Sequence, residues 1–438
     1  MKSLRARDVS FLSEAGHWMY GFIEELYPIC RSITGEGVRE TLRRIAQHIP
    51  IEFHEVPTGI QAFDWTVPME WNIRDAYIRN GAGERVVDFR KSNLHILNYS
   101  IPFRGTVPLE TLRKHLFTLP EKPDYIPYRT SYYQQNWGFC VSQRHAETLR
   151  EAEYEVCIDT ELKDGSLTYG ECFLQGATDQ EVLISCHICH PSLCNDNLSG
   201  IALVTWLARH MQGKSLRYSY RFLFIPGTIG AIVWLRSNEN ITAKIRHGLV
   251  IAGVGDPGKP TYKKSRRSNA EIDRTVLHVL RERGSEFSVR EFTPYGYDER
   301  QYCSPGFDLP MGALSRTPHG TYPEYHTSAD DLNLVRPEYL ADSLSISLAV
   351  IEILEKNSLY TNLCPKCEPQ LGKRGIYRAI GGHPDAGKQE MALLWVLNMS
   401  DGKHSILDIV ERSGMTFTQL REAADLLLEN GLLKKFDT

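Results

Sequence analysis

The segment Ser185-Cys-His-Ile-Cys-His-Pro-Ser-Leu-Cys-Asn-Asp-Asn-Leu-Ser-Gly200 packs histidines, thiols and a carboxylate into one short stretch. Imidazole nitrogen, thiolate sulfur and carboxylate oxygen are the donors zinc takes from proteins. His187 follows an apolar run, Val182 to Ile184, and would stand at the carboxyl end of a strand, where α/β sheets gather their ligands. Asp196 lies on an Asn-Asp-Asn loop before a helix-like pattern. Its two oxygens could bridge two metals, although the position also suits a helix N-cap. His326, in Tyr325-His-Thr-Ser-Ala-Asp330, would close the site from another strand end. Asp256, in Val254-Gly-Asp-Pro-Gly258, would be a third donor to the His187 metal or simply a turn residue.

Other chemistry is weaker. Cys186-His-Ile-Cys-His190 satisfies the CxxCH pattern of covalent haem attachment, but that chemistry needs an exported chain and space that a buried strand does not leave. Cys364-Pro-Lys-Cys367 is a lone CxxC without a second pair. The substrate rim falls on Lys263 to Arg267, which includes Arg266, and on Tyr295 to Tyr302, which includes Tyr297, Asp298, Glu299 and Arg300. An arginine suits a substrate carboxylate through paired hydrogen bonds, whereas Asp298 or Glu299 suits a free amine. A solvated loop of ordinary ion pairs is the plain alternative.

These residues need elements to hold them. Phe11, Trp18, Met19, Phe22, Ile23 and Leu26 fall mostly on one side of a helix, and Val38, Leu42, Ile45 and Ile49 mark a second one. From Phe53 to about Thr168, runs such as Leu94–Ile101, Trp137–Val141 and Tyr154–Ile158 alternate with turn residues, which predicts a mostly β module. Strands are then expected over Leu167–Phe173, Glu181–Cys186, Arg221–Ile225 and Gly248–Gly253, with a helix carrying Ile201, Val204, Leu207, Ala208 and Met211. Apolar strands alternating with helices predict a parallel or mixed sheet covered on both faces. The first helices need that sheet to pack on. The β module, 53–166, is therefore expected as an insertion into one α/β domain of 1–52 and 167–360. A linker, 361–375, leads to a tail over 376–438 whose three helices and final strand read as a winged helix.

Composition sets further bounds. A chain of 438 residues, 42% hydrophobic and 24% charged with net charge −4, can build a substantial core. It offers no electrostatic reason to bind nucleic acid or an anionic membrane. The tail, residues 385–438, holds 6 Lys/Arg against 9 Asp/Glu, where a DNA reader would show a basic face. Ten cysteines are too sparse for a disulfide scaffold. The start lacks the apolar core of a signal peptide and no run is long enough to span a bilayer. The expected location is the cytoplasm.

The order His187, Asn195-Asp-Asn-Leu-Ser-Gly200, a strand ending at Ile225-Pro-Gly-Thr-Ile-Gly230, then Tyr325-His-Thr-Ser328 resembles the co-catalytic zinc aminopeptidases. It is nearest to a bacterial branch with an inserted β domain and a C-terminal winged helix. Leu26-Tyr-Pro-Ile-Cys-Arg-Ser-Ile-Thr-Gly-Glu-Gly37, Phe63-Asp-Trp-Thr-Val-Pro68, Trp71-Asn-Ile-Arg-Asp-Ala76 and Tyr322-Pro-Glu-Tyr-His-Thr-Ser-Ala-Asp330 look like its signatures. The resemblance implies a zinc-exopeptidase-like mixed sheet flanked by helices and one or two zinc ions. It makes His187, Asp196 and His326 metal ligands, with Asp256 matching less closely. The family's water-activating carboxylate falls at Gly227, and a second metal carboxylate at about Thr228. The Asp usual two residues after the first His is Cys189.

The expected function is zinc-dependent hydrolysis of a peptide or amide bond near a free amino terminus, with Gly227 where the base should be. Glu324, or an acid of Tyr295–Arg300, is the substitute base. The alternative is a metal-binding pseudoenzyme that recognises a peptide-like or aminoacyl ligand. A single-zinc acyl transferase such as a glutaminyl cyclase is a third reading. The expected partner is a peptide or aminoacyl small molecule, with no membrane, no nucleic acid and a possible homo-oligomer.

Overall fold

Met19, Phe22, Ile23 and Leu26 recur at helical spacing, and the helix Val9–Leu26 buries all four. The helix Glu36–Ala46 does the same with Val38, Leu42 and Ile45. It starts at Gly35, where φ is 93° and an added Cβ would stand 2.0 Å from the Trp71 carbonyl oxygen, so no other residue fits. The structure is a computed structural model and describes residues 9–376 and 384–436. Residues 1–8 of the expected α/β domain, and 377–383 and 437–438 of the expected tail, lie outside the described residues. The chain divides into two compact units: one runs to Leu348 without Arg274–Gly284, and the other comprises Arg274–Gly284 and the residues from Ala349 onward.

The first unit is built on an eight-stranded mixed sheet. Its strands are β1 (Glu52–Pro57), β2 (Ser166–Leu174), β3 (Glu181–His187), β4 (Ser219–Ile225), β5 (Ile245–Ile251), β6 (Thr261–Lys263), β7 (Ser288–Arg290) and β8 (Met311–Ser315). They lie in the order β1-β2-β4-β3-β5-β8-β6-β7. The centre, β4-β3-β5-β8, is parallel; β1, β2 and the β8–β6 pairing are antiparallel. All seven residues of β3 and of β4 are buried. Strands covered on both faces have no polar side to show, which is why they read as continuous apolar runs. The helices Gly200–Met211 and Ile229–Ser237 follow β3 and β4.

The inserted module is a four-stranded antiparallel sheet in the order Arg85–Asp88, Glu70–Arg79, Glu153–Lys163, Phe103–Pro108. It shares one core with the main sheet, in which Trp71, Ala76 and Ile158 join Leu183, Leu223, Val250 and Trp234. Two details differ from the sequence reading. The first strand after residue 50 pairs with β2, from Glu52 opposite Glu171 to Pro57 opposite Ser166, and belongs to the main sheet. Leu94–Ile101, expected as a strand, is a turn at Asn93–His95 followed by irregular chain. There the buried Asn98 donates to the Arg31 carbonyl (3.0 Å) and accepts from the Ser32 hydroxyl (2.6 Å), so side chains do the work of a strand ladder.

In the second unit the helices Pro384–Met399, Ile406–Ser413 and Phe417–Glu429 accompany a three-stranded antiparallel sheet, Asp401–Ser405, Leu359–Asn362, Leu433–Lys435. Ser405 with Asp408 and Thr416 with Gln419 form capping boxes. The central strand precedes the expected start at 376, because a four-residue strand inside a linker-like sequence carries no periodic signal. No described helix is long and apolar enough to cross a membrane.

Candidate metal centre

Asp196 is held by a loop whose other polar residues are spent on the scaffold. Asn195 donates to Asp256 (2.9 Å) and accepts from the Gly255 N–H (2.9 Å). Asn197 accepts from the Gly253 N–H (3.1 Å) and donates to the His187 carbonyl (3.2 Å). Ser199 donates to the Asn195 carbonyl (2.6 Å) and accepts from the Val254 N–H (3.0 Å). These bonds tie the loop to the ends of β3 and β5. The Asp330 carboxyl accepts from the N–H groups of Asn195 (2.6 Å) and Asp196 (3.0 Å). Asp196 alone among the three loop side chains points its oxygens at imidazoles.

His187 Nε2 lies 2.7 Å from Asp196 Oδ1, and His326 Nε2 lies 3.0 Å from Oδ2. His190 Nε2 is 4.0 Å from Oδ2. Donor atoms of His187, His190 and Asp196 all fall within 4.8 Å of one another, an arrangement that could hold a metal ion. The Tyr297 hydroxyl donates to Asp196 Oδ2 (2.7 Å), is 3.1 Å from the Tyr325 hydroxyl, and its ring stacks on His187. Tyr325 stacks in turn on His326, 3.9 Å between centroids. His326 adopts φ 54°, and its carbonyl accepts from the Tyr128 N–H (2.8 Å). A non-glycine residue in that region is strained and is kept there by its surroundings.

The electrostatics suit a cation. Burial by itself would raise the Asp196 carboxyl, but His190, then His187, and the hydrogen bonds from His187 and His326 outweigh it and hold the group well below the usual carboxylate range. Three imidazoles and a buried carboxylate are a donor set that zinc accepts. His187 Nδ1 is buried without a hydrogen-bond partner.

The other expected residues are distributed as follows. Asp256 is not brought to this cluster: its oxygens accept from Asn195, from the Gly258 N–H (2.7 Å), and from the Thr317 N–H (3.2 Å) and hydroxyl. Gly227 lies beside His187, and Thr228 precedes the helix Ile229–Ser237 without a side-chain capping bond. Glu324 is half-buried, and its carbonyl accepts from the Thr327 N–H and hydroxyl. Asp298 and Glu299 are buried, and Arg300 is half-buried. Burial pushes the Asp298 carboxyl up to about 7. Glu299 Oε1 pairs with Lys263 (2.8 Å), while its Oε2 has no partner. Arg266 is exposed and paired with Asp308 (2.8 Å). A pocket beside Asp196 is lined by Tyr297, Glu299, Lys263, Arg290, His319 and Tyr322, among others.

His190 escaped the sequence reading. Its signal was a spacing of three from His187 with a proline behind it, which turns the chain back toward the strand end. The buried Arg31 fixes that turn by donating from Nε to the His190 carbonyl (2.8 Å).

Comparisons with known proteins identify the fold and its family. Residues 20–357 match the family described as a domain of unknown function (DUF4910), and residues 358–435 match a winged helix-turn-helix. A Clostridium acetobutylicum protein, provisionally named a polysaccharide biosynthesis protein with an aminopeptidase-like domain, is 53% identical over 96% of this chain and 97% of its own. A crystal structure of a provisionally described peptidase from Clostridium acetobutylicum superposes with a TM-score of 0.93 at 50% identity, covering 98% of both chains. The zinc aminopeptidase BSAP of Bacillus subtilis shares the fold at 12% identity and TM-score 0.56, over 77% of this chain and 94% of its own. The chain therefore belongs to the DUF4910 family, an aminopeptidase-like α/β domain followed by a winged helix.

Proposed function

We propose that this chain is a zinc-dependent hydrolase of a peptide or amide bond near a free amino terminus. The observation that carries the reading is the Asp196 carboxylate, buried and surrounded by the imidazoles of His187, His190 and His326. Those four residues would hold the metal. Zinc, when bound, lowers the pKa of water and polarises a carbonyl.

The remaining work falls to the chain. Tyr297 donates its hydroxyl proton to Asp196 Oδ2 and so orients that carboxylate. Glu299, whose Oε2 is unpaired at the pocket wall, receives the substrate amine. Glu324, two residues before His326, accepts the proton from water. With Gly227 in place of a carboxylate, turnover is expected to be lower by up to about 10²–10⁴, the usual contribution of a positioned base. The name of the Clostridium acetobutylicum relative pairs polysaccharide biosynthesis with an aminopeptidase-like domain, which is the reason to test carbohydrate-derived amides beside aminoacyl amides.

A second reading has its own observation: Gly227 carries no side chain, so the chain can also be a zinc-holding binder of the same ligands without turnover. One experiment separates them. Purified chain is loaded with zinc and assayed on a panel of aminoacyl arylamides and N-acyl amino sugars, beside His326→Ala and Glu324→Gln. Zinc-dependent release of amine, lost in His326→Ala, is expected. Binding of substrates without release supports the second reading. Release that persists after chelation and in His326→Ala overturns both.

A further inference from the structure

Two buried polar groups lack hydrogen-bond partners at the floor of the centre. One is His187 Nδ1 and the other is the Asp298 carboxyl, both of whose oxygens are unpaired. Both side chains are completely shielded from solvent. A buried carboxyl left without a partner is costly and calls for an explanation.

Gly227 shows how near the two groups are. A Cβ built at this position would stand 3.0 Å from His187 Cβ and 3.3 and 3.5 Å from the Asp298 oxygens. Asp298 fills the space that any side chain at 227 would enter. It comes from a different part of the chain, the residue preceding the short helix Glu299–Tyr302. Arg300, the nearest cation in sequence, leaves its Nε–H unpaired instead of donating it to Asp298.

An imidazole that ligates metal through one nitrogen ordinarily donates the N–H of the other to a carboxylate, which fixes its tautomer and orientation. His187 turns Nε2 toward Asp196, leaving Nδ1 for that role. The neighbour two residues on is Cys189, whose thiol donates to the Gly227 carbonyl (3.6 Å) and offers no carboxylate.

We propose that Asp298 is the positioning carboxylate of His187, accepting the Nδ1–H bond when Nε2 ligates metal, and that position 227 is glycine because Asp298 occupies its side-chain space. The proposal rests on the zinc reading above. A glutamate placed at 227 alone would collide with Asp298 and would not rebuild a base there.

The test is zinc affinity of the full chain, measured with Zn²⁺ alone against a chromophoric chelator, together with the ¹⁵N signals of the His187 ring. Asp298→Ala is expected to bind zinc roughly 10–100-fold more weakly. Asp298→Asn, whose carbonyl can still accept, falls between it and the parent chain. The Nδ1–H signal of the zinc-loaded protein should shift in both variants, which a purely structural role would not cause. Should Asp298→Ala fail to fold, Asp298→Asn and Gly227→Ala, which crowds the carboxylate without removing it, carry the same test. Unchanged affinity and an unchanged His187 signal in these variants, with zinc lost in His187→Ala, would overturn the proposal and leave the zinc reading standing. Absence of zinc binding by the parent chain overturns that reading first, and this proposal with it.

Discussion

Asp330→Ala probes whether the Asn195–Asn197 loop is a built support or an incidental turn. The Asp330 carboxyl is completely buried and accepts from two backbone N–H groups, those of Asn195 (2.6 Å) and Asp196 (3.0 Å). Alanine leaves both donors buried without a partner, at about 1–3 kcal/mol each. Burial raises the Asp330 carboxyl to about 8, so at neutral pH it accepts mainly as the neutral acid. That places the loss toward the low end of the summed range, at about 2–3 kcal/mol in all. Urea unfolding of the zinc-free chain, followed by tryptophan fluorescence, reads the loss directly. Because the same bonds aim Asp196, zinc affinity should fall with stability, by up to about 10²-fold if the whole loss is felt locally. Asp330→Asn retains a carbonyl acceptor and should lose less on both counts. A stability loss under about 0.5 kcal/mol, with zinc binding unchanged, would refute the view that this carboxyl holds the loop.

Other consequences are equally concrete. Burial opposes ionisation of Glu70, but hydrogen bonds from Arg39, Asn72 and the Ser166 N–H outweigh it and bring the group down to about 2. Its folded value lies below its unfolded one, so its stabilisation is present above about pH 4.5 and is lost as pH falls toward 2; Glu70→Gln should flatten acid unfolding across that window, and an unaltered profile would contradict the pairing. Thr416→Ala removes the cap and capping box of Phe417–Glu429 and should cost about 0.5–2 kcal/mol in thermal unfolding of the winged helix; no shift would contradict it. The tail's excess of acidic residues predicts no salt-dependent affinity for random duplex DNA, and a steep salt slope in a polarisation titration would reverse that expectation.

The residues that the structure brings together around Asp196 were legible in the sequence wherever they depended on local pattern. His187 ends a continuous apolar run, and such a run is what a strand buried on both faces produces. The Asn-Asp-Asn loop before a helix marked Asp196, and Tyr-His-Thr-Ser marked His326. Asp256 had the same surface signs, a carboxylate after an apolar run, yet its oxygens are consumed by Asn195, Gly258 and Thr317. Nothing in a linear pattern tells an aspartate that holds a loop from one that faces a cluster of imidazoles. Asp298 was singled out for a substrate amine because it sits in a polar loop; its burial behind Gly227 depends on how residues some seventy positions apart are folded together. The same limit explains β1, a short edge strand that could as well have paired within the inserted sheet.

The central claim is that His187, His190, His326 and Asp196 form a zinc centre. Elemental analysis of the purified full chain, set beside Asp196→Ala prepared in the same way, tests it most directly. The account predicts at least one zinc per parent chain, removable by chelator and restored on readdition, and none in the variant. A parent chain that takes up no zinc, or a variant that retains as much as the parent, would contradict it.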